Sequence, residues 1–356
     1  MGGKGVCRRA HVVYALEMRW ILLLAVCGAC GSPGPGGPPE AQIAGVREVG
    51  TVANPSLSNV LRDGGAGGRV GGKLLWTFGD TLLTFKAEDG LSYRSNSAAF
   101  AELDVPLVLS EPTDSKGAPH QLLPFNQEEL AYNQSTGKPD DRFALWPTAV
   151  ISLGENGLIL YNRLKVRPGL LNFEAVSTGM ALVRPASTVA VRYPEIFTVP
   201  EPQFHHAAAL HAGMLHLYAC STEGRCRVAR APFENATERS AYEFWTGSGW
   251  SAAVADAAET VPGSTTGFSV VYNTYLERFV AIISKPFSGT IVLRTALEPQ
   301  GPWSDELLVY EVGAQIYATV QHPELVLEAG RKLFFSYYLP ADAFDGDVRL
   351  VELTLK

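Results

Sequence analysis

Basic residues are in deficit, with 29 Lys and Arg against 36 Asp and Glu and a formal charge of -7. No basic stripe is present to displace phosphate counterions, which excludes a nucleic-acid partner. Long apolar runs are also missing. The longest early one, residues 21–26, falls well short of the roughly 20 apolar residues that a membrane span needs. No Ser-His-Asp order, Walker loop or dinucleotide fingerprint stands at a strand-to-helix junction. The glycine run at 64–68 is followed by a strand pattern, so it is not a phosphate loop. Cysteine is scarce too: of five, only Cys220 and Cys226 lie beyond residue 30. Two thiols alone do not complete a tetrahedral metal shell, so a disulfide closing a tight hairpin is the expectation for this pair and a metal site is not.

Glycine (35) and proline (23) are plentiful, which favours many short strands over long helices. The N-terminus stands apart from the rest. Met18-Arg19-Trp20, the apolar stretch 21–26 and Cys27-Gly28-Ala29-Cys30 read as a signal peptide, with Met18 as the true start. Cys30, preceded by small residues, is the expected lipidation site of a bacterial lipoprotein, with Cys27 second. Ordinary secretion is the alternative. Residues 1–30 are thus a leader, 31–41 a Gly/Pro-rich tether and 42–356 the folded domain. The protein is expected to be exported to the periplasm or cell surface and to be a monomer. Its only hold on a membrane would be the lipid.

Internal repetition carries the fold. One module, an apolar strand, a tight turn, an aromatic-rich strand and a third strand, recurs about every 55–75 residues. Its hairpins are GRVGGKLLWTFGDT (68–81), TAVISLGENGLILYN (148–162), HAAALHAGMLHLYAC (206–220), FSVVYNTYLERFVAII (268–283) and PELVLEAGRKLFFSYY (323–338). Third strands follow at 96–103, 174–183, 226–232, 290–297 and 348–355. Five such units predict an all-β, five-bladed β-propeller. The last unit has only three strands, so residues 42–52 are expected to supply its fourth and close the ring. A β-sandwich ranks second.

In a propeller the innermost strand of every blade starts at the same face. That brings together Asp63, Trp146, His205 and His206, Thr266-Gly267, and Gln321-His322 with Glu324; Asp80 and Asn162 return to the same face. Acids, imidazoles and an aromatic around one mouth suit a polyhydroxylated ligand. A two-residue turn at Gly71-Gly72 sets Asp63 directly opposite Asp80. Like charges so placed repel, one pKa should rise, and the pair is equipped for acid–base work on a glycosidic bond. The alternative is that the 64–68 glycine run bulges and both Asp merely cap turns. Glu324 is a further candidate proton donor; Trp146, Asn162, His205, His206 and His322 are candidate substrate-binding residues. Of His205 and His206, adjacent in a strand, one is expected to face the mouth. No cofactor is expected, and no ligand set announces a central calcium ion.

Asp63-Gly64-Gly65, Leu75-Trp76-Thr77-Phe78-Gly79-Asp80-Thr81 and Leu145-Trp146-Pro147-Thr148 resemble the domain of unknown function 4185. So do Gly267-Phe268-Ser269-Val270-Val271-Tyr272-Asn273, Gly301-Pro302-Trp303-Ser304 and His322-Pro323-Glu324-Leu325. The resemblance covers nearly all of 50–356. It implies a five-bladed propeller akin in shape to arabinan-cleaving glycosidases, and some members of the family are implicated as endo-D-arabinofuranases of glycoside hydrolase family 183. Carried over, it marks Asp63 and Asp80 as the catalytic carboxylates and a polysaccharide as the partner. A non-catalytic glycan-binding or structural surface protein remains the rival reading.

Overall fold

The computed structural model describes residues 40–57, 59–169, 171–221, 223–264, 266–341 and 345–356. The expected leader, Met18, Cys27, Cys30 and the tether up to residue 39 lie outside the described residues. All described residues fall in one compact unit, and among them no helix is long and apolar enough to cross a membrane.

Strands dominate among the described residues, gathered in antiparallel sheets, five of them with four or more strands. From inner to outer strand, the first sheet runs Ala66–Val70, Lys73–Phe78, Ser97–Glu102 and Val105–Ser110. The second runs Arg142–Leu153, Asn156–Val166, Phe173–Val183 and Val191–Arg192. The third begins Ala207–His211, Met214–Cys220 and Arg225–Pro232. The fourth comprises Phe268–Asn273, Arg278–Ser284, Thr290–Ala296 and Leu307–Glu311. The fifth comprises Tyr317–Gln321, Lys332–Pro340 and Gly346–Leu355, with Ile43–Val52 as its outer strand. That N-terminal strand pairs antiparallel with Gly346–Leu355, Val46 opposite Leu353 and Val52 opposite Val348.

Second strands are buried on both faces because each sheet is covered by two neighbours. Lys73–Phe78, Met214–Cys220 and Arg278–Ser284 are accordingly apolar almost throughout. Five apolar clusters fill the gaps between consecutive sheets. Leu75, Ile159 and Tyr161 join the first to the second, and Leu160, Leu215 and Leu217 the second to the third. Tyr218, Val270 and Ala281 join the third to the fourth, and Val280, Ile282 and Phe335 the fourth to the fifth. Trp76, Leu350 and Tyr338 join the fifth back to the first. The inner strands likewise meet in order, first against second through to fifth against first.

The fifth unit departs from its expected register. Residues 323–338 do not form the predicted hairpin, because its inner strand is Tyr317–Gln321 and the segment after it makes two 3-10 turns, Pro323–Leu325 and Glu328–Gly330. Pro323, with no N–H to donate, starts a turn there rather than entering a strand. Residues 321–324 therefore stand at the far end of the inner strand, and Tyr317 stands at the near end.

Candidate active site

The first hairpin builds the site. Gly71 and Gly72 take φ of 58° and 80°, the left-handed pair that a tight hairpin turn requires. From that turn Val70 pairs with Lys73 and Ala66 with Thr77. The same register continues beyond the glycines, where Arg62 pairs with Thr81 and Val60 with Leu83. Asp63 lies opposite Asp80 between these two ladders: its amide donates to the Asp80 carbonyl (2.9 Å), and the Gly79 amide donates to the Asp63 carbonyl (2.8 Å). The glycine run therefore keeps the register. It also lets the neighbouring sheets close in. A Cβ on Gly67 would stand 2.8 Å from His322 Nδ1, and one on Gly68 would stand 2.6 Å from Val150 Cγ1.

The two carboxyls have unlike surroundings. Asp80 is 8% exposed. It accepts from Arg142 Nη2 at 2.5 Å and from Trp146 Nε1 at 3.0 Å, so a buried guanidinium faces its charge. Asp63 retains an opening to solvent, but protein crowds its other sides. Burial raises its pKa to about 7, and the nearby Asp80 charge adds to the rise; the Tyr317 hydroxyl, donating to Oδ1 at 2.7 Å, and the Arg142 charge work against it. Tyr317 in turn packs on Tyr338, with ring centroids 4.9 Å apart.

Arg142 and Trp146 are aimed by their own strand. Both lie on Arg142–Leu153, four residues apart with Ala144 between them, so their side chains share one face. The edge of that strand is held by side chains acting in place of a neighbouring strand. The Asn133 amide donates to the Phe143 carbonyl (3.1 Å), and its oxygen accepts from the Phe143 amide (2.7 Å). Asn96 Nδ2 donates to the Leu145 carbonyl (2.7 Å), and Ser95 Oγ accepts from the Leu145 amide (3.2 Å). Asn133 belongs to the helix Gln127–Thr136, which starts with an Asn126–Glu129 capping box and stops at Gly137. Burial alone would raise the Glu129 pKa. Hydrogen bonding and charge from Arg192, the Asn126 amide and the Arg163 charge hold it below the usual range, which pins the helix to the second sheet.

The third sheet brings its two histidines together rather than turning one away. The His205 and His206 rings lie 4.2 Å apart at 34°, since both precede the strand and escape its alternation. The Cys220 amide donates to His206 Nδ1 at 3.2 Å, and Cys220 is disulfide-bonded to Cys226. Burial, then the charge of His206, sets the His205 pKa well below its usual value; burial lowers His206 to about 4. Both rings are neutral at neutral pH. Asn162 pairs with Trp146 across the second sheet and so shares its face.

His322 and Glu324 do not open to the mouth, which corrects their expected roles. Their side chains are 0% and 3% exposed, His322 Nδ1 lies 3.0 Å from Glu324 Oε1, and Nε2 lies 2.8 Å from Ser336 Oγ. The pair is packed between Gly67 and Trp76, where neither group can touch a substrate. Sequence reasoning missed Arg142 and Tyr317. The alternation Arg142, Ala144, Trp146 pointed to the first, and Tyr317, Thr319, Gln321 marked the inner strand that begins with the second. No group of three or more potential metal ligands occurs among the described residues.

Among solved structures the chain is similar to a protein from Bacteroides ovatus presumed to be a hydrolase, with 15% identity and a TM-score of 0.60 over 82% of this chain and 85% of that one. It is also similar to a family 117 glycoside hydrolase from the marine bacterium Zobellia galactanivorans (11% identity, TM-score 0.55, 88% and 90% covered). A third is an exo-β-1,3-galactanase from Phanerochaete chrysosporium (11% identity, TM-score 0.53, 87% and 64% covered). At these identities the likeness is one of fold. No curated protein matches the sequence. The sequence profile of the domain of unknown function 4185 matches residues 180–338, from the third strand of the second sheet into the second strand of the fifth; it takes in the motifs at 267–273, 301–304 and 322–325, while those at 63–65, 75–81 and 145–148 lie before it.

Proposed function

We propose that this protein is a glycoside hydrolase acting on a furanosidic, arabinan-type polysaccharide, with Asp63 as proton donor and Asp80 as the anionic partner. The observation that supports it is the facing of two carboxyls, one crowded by protein and hydrogen-bonded to Tyr317, the other bound by Arg142 and Trp146. Asp63, with its pKa raised to about 7, keeps a proton to hand to the glycosidic oxygen. Asp80, held in place by Arg142 and Trp146, faces the developing oxocarbenium ion, either by direct attack or by activating water. The furanosidic choice rests on the motif resemblance; the solved relatives support a glycoside hydrolase fold.

The fold in this reading is a five-bladed ring whose last blade is completed by Ile43–Val52, which the strand pairing and the circuit of inner strands support. We further propose export and lipid anchoring through Cys30, so that the ring faces cell-envelope glycan. Labelling with a palmitate analogue tests the anchor: label retained in Cys30→Ser would overturn it.

The function is tested by reducing-end release from D-arabinan, L-arabinan and arabinogalactan, comparing wild type with Asp63→Asn and Asp80→Asn. Release from one polymer, lost in both folded variants, is expected. No release from any polymer, with binding retained, would leave a glycan-binding protein.

A further inference from the structure

The second sheet stands higher over the mouth than the others, and its extension is apolar on one side. Its first three strands are 12, 11 and 11 residues long, whereas the inner strands of the other sheets are 5 or 6. Val166 pairs with Arg142 on one side and Phe173 on the other, and Leu164 pairs with Ala144. Arg142, Ala144, Trp146, Leu164, Val166 and Phe173 therefore share one face, the face that meets Asp80. Ala144, Leu164 and Val166 are buried beneath Trp146. Phe173, by contrast, is 44% exposed. Its ring meets Trp146 edge to face, with centroids 5.0 Å apart at 80°. The two rings make an open corner whose inner wall is hydrogen-bonded to Asp80 through Trp146 Nε1.

What sets Phe173 apart from the other exposed apolar residues is its contact with Trp146, the ring that is hydrogen-bonded to Asp80, and that corner suits a sugar ring. Its C–H face is apolar and its rim is polar, so it stacks on an aromatic while its hydroxyls stay with water or polar groups. We infer that Phe173 and Trp146 form the subsite that grips the sugar unit next to the bond broken at Asp63 and Asp80. Phe173 is the outer, specificity-setting wall. This rests on the glycoside hydrolase reading. The subsite takes a neutral glycan unit with one unsubstituted face, and it favours a chain over a single sugar because the corner lies to one side of the carboxyl pair.

The test uses binding, which is separable from cleavage. In the Asp63→Asn background, where Asn still accepts from Tyr317, oligosaccharides from D-arabinan, L-arabinan and arabinogalactan are titrated and followed by tryptophan fluorescence. Adding Phe173→Ala should weaken binding about five- to tenfold, in keeping with the loss of one aromatic stacking contact. Phe173→Tyr should bind within about twofold of the parent, since the ring remains. Parent-like affinity in Phe173→Ala would overturn the subsite and leave the hydrolase reading standing. A parent that binds none of the three, with wild type cleaving none, would overturn both.

Discussion

The Asp63 amide donates to the Asp80 carbonyl at 2.9 Å, so two carboxyls are held opposite each other across one antiparallel pair. Backbone pairing, rather than loop packing, fixes their relation. An acid pair fixed by backbone pairing needs no large rearrangement before it can act.

The pH dependence of activity should expose the division of labour. If Asp63 is the donor, kcat/KM falls about tenfold per pH unit above its raised pKa of about 7. The Tyr317 hydrogen bond favours the charged carboxylate, so Tyr317→Phe should raise that pKa and move the descending limb to higher pH. A pH–rate profile of both proteins measures this. Activity that rises through pH 7 would assign Asp63 the role of base instead.

The same group should shape stability in the opposite sense to an ordinary surface carboxylate. Its folded pKa lies above the unfolded value of 3.8, so the folded state holds the proton more tightly. That contribution is complete below the unfolded value and is lost as pH rises toward about 7. Asn cannot ionise. Asp63→Asn should therefore melt close to wild type at pH 4 and clearly above it at pH 8, by on the order of 4 kcal/mol. Equal melting shifts at the two pH values would contradict the raised pKa.

Arg142 is the counterweight to Asp80, and both are buried. Arg142→Met leaves the carboxylate without its partner, which should cost about 3–5 kcal/mol. In the double variant Arg142→Met/Asp80→Asn the stranded charge is gone, and much of the loss should return. Urea unfolding of the three proteins checks this; a double variant as unstable as Arg142→Met would show that the Arg acts by packing alone.

The readable part of this structure is what strand periodicity and turn chemistry specify locally. Gly71-Gly72 fixes the turn, the turn fixes the register, and the register brings Asp63 to Asp80. The third strands lie within a residue or two of the segments marked by alternation. What stayed hidden depended on distant chain. His322 and Glu324 read as mouth residues because the hairpin pattern begins at residue 323, whereas the inner strand ends at Gln321. Tyr317 was lost with that shift. The stacking of His205 on His206 needs the geometry of the segment before the strand, which alternation does not describe. Arg142 meets Asp80 across 62 residues, and the strand that carries it is held at Phe143 by Asn133, whose place no motif marks.

That helix yields the last prediction. Asn133 is fully buried and makes both hydrogen bonds of an absent strand partner to Phe143, the residue next to Arg142. Asn133→Ala leaves a buried N–H and a buried C=O unpaired, which should cost about 2–4 kcal/mol. Gln134→Ala, on the exposed side of the same helix, should change stability by less than about 0.5 kcal/mol. A purely structural Asn133 would lower stability and leave the surviving folded enzyme with normal kinetics. If it positions Arg142, the folded fraction should lose kcat more than KM, because Arg142 acts on Asp80 rather than on ground-state binding. Steady-state kinetics at a temperature where both variants are fully folded separates the two, and unchanged kcat in Asn133→Ala would confine the residue to holding the helix in place.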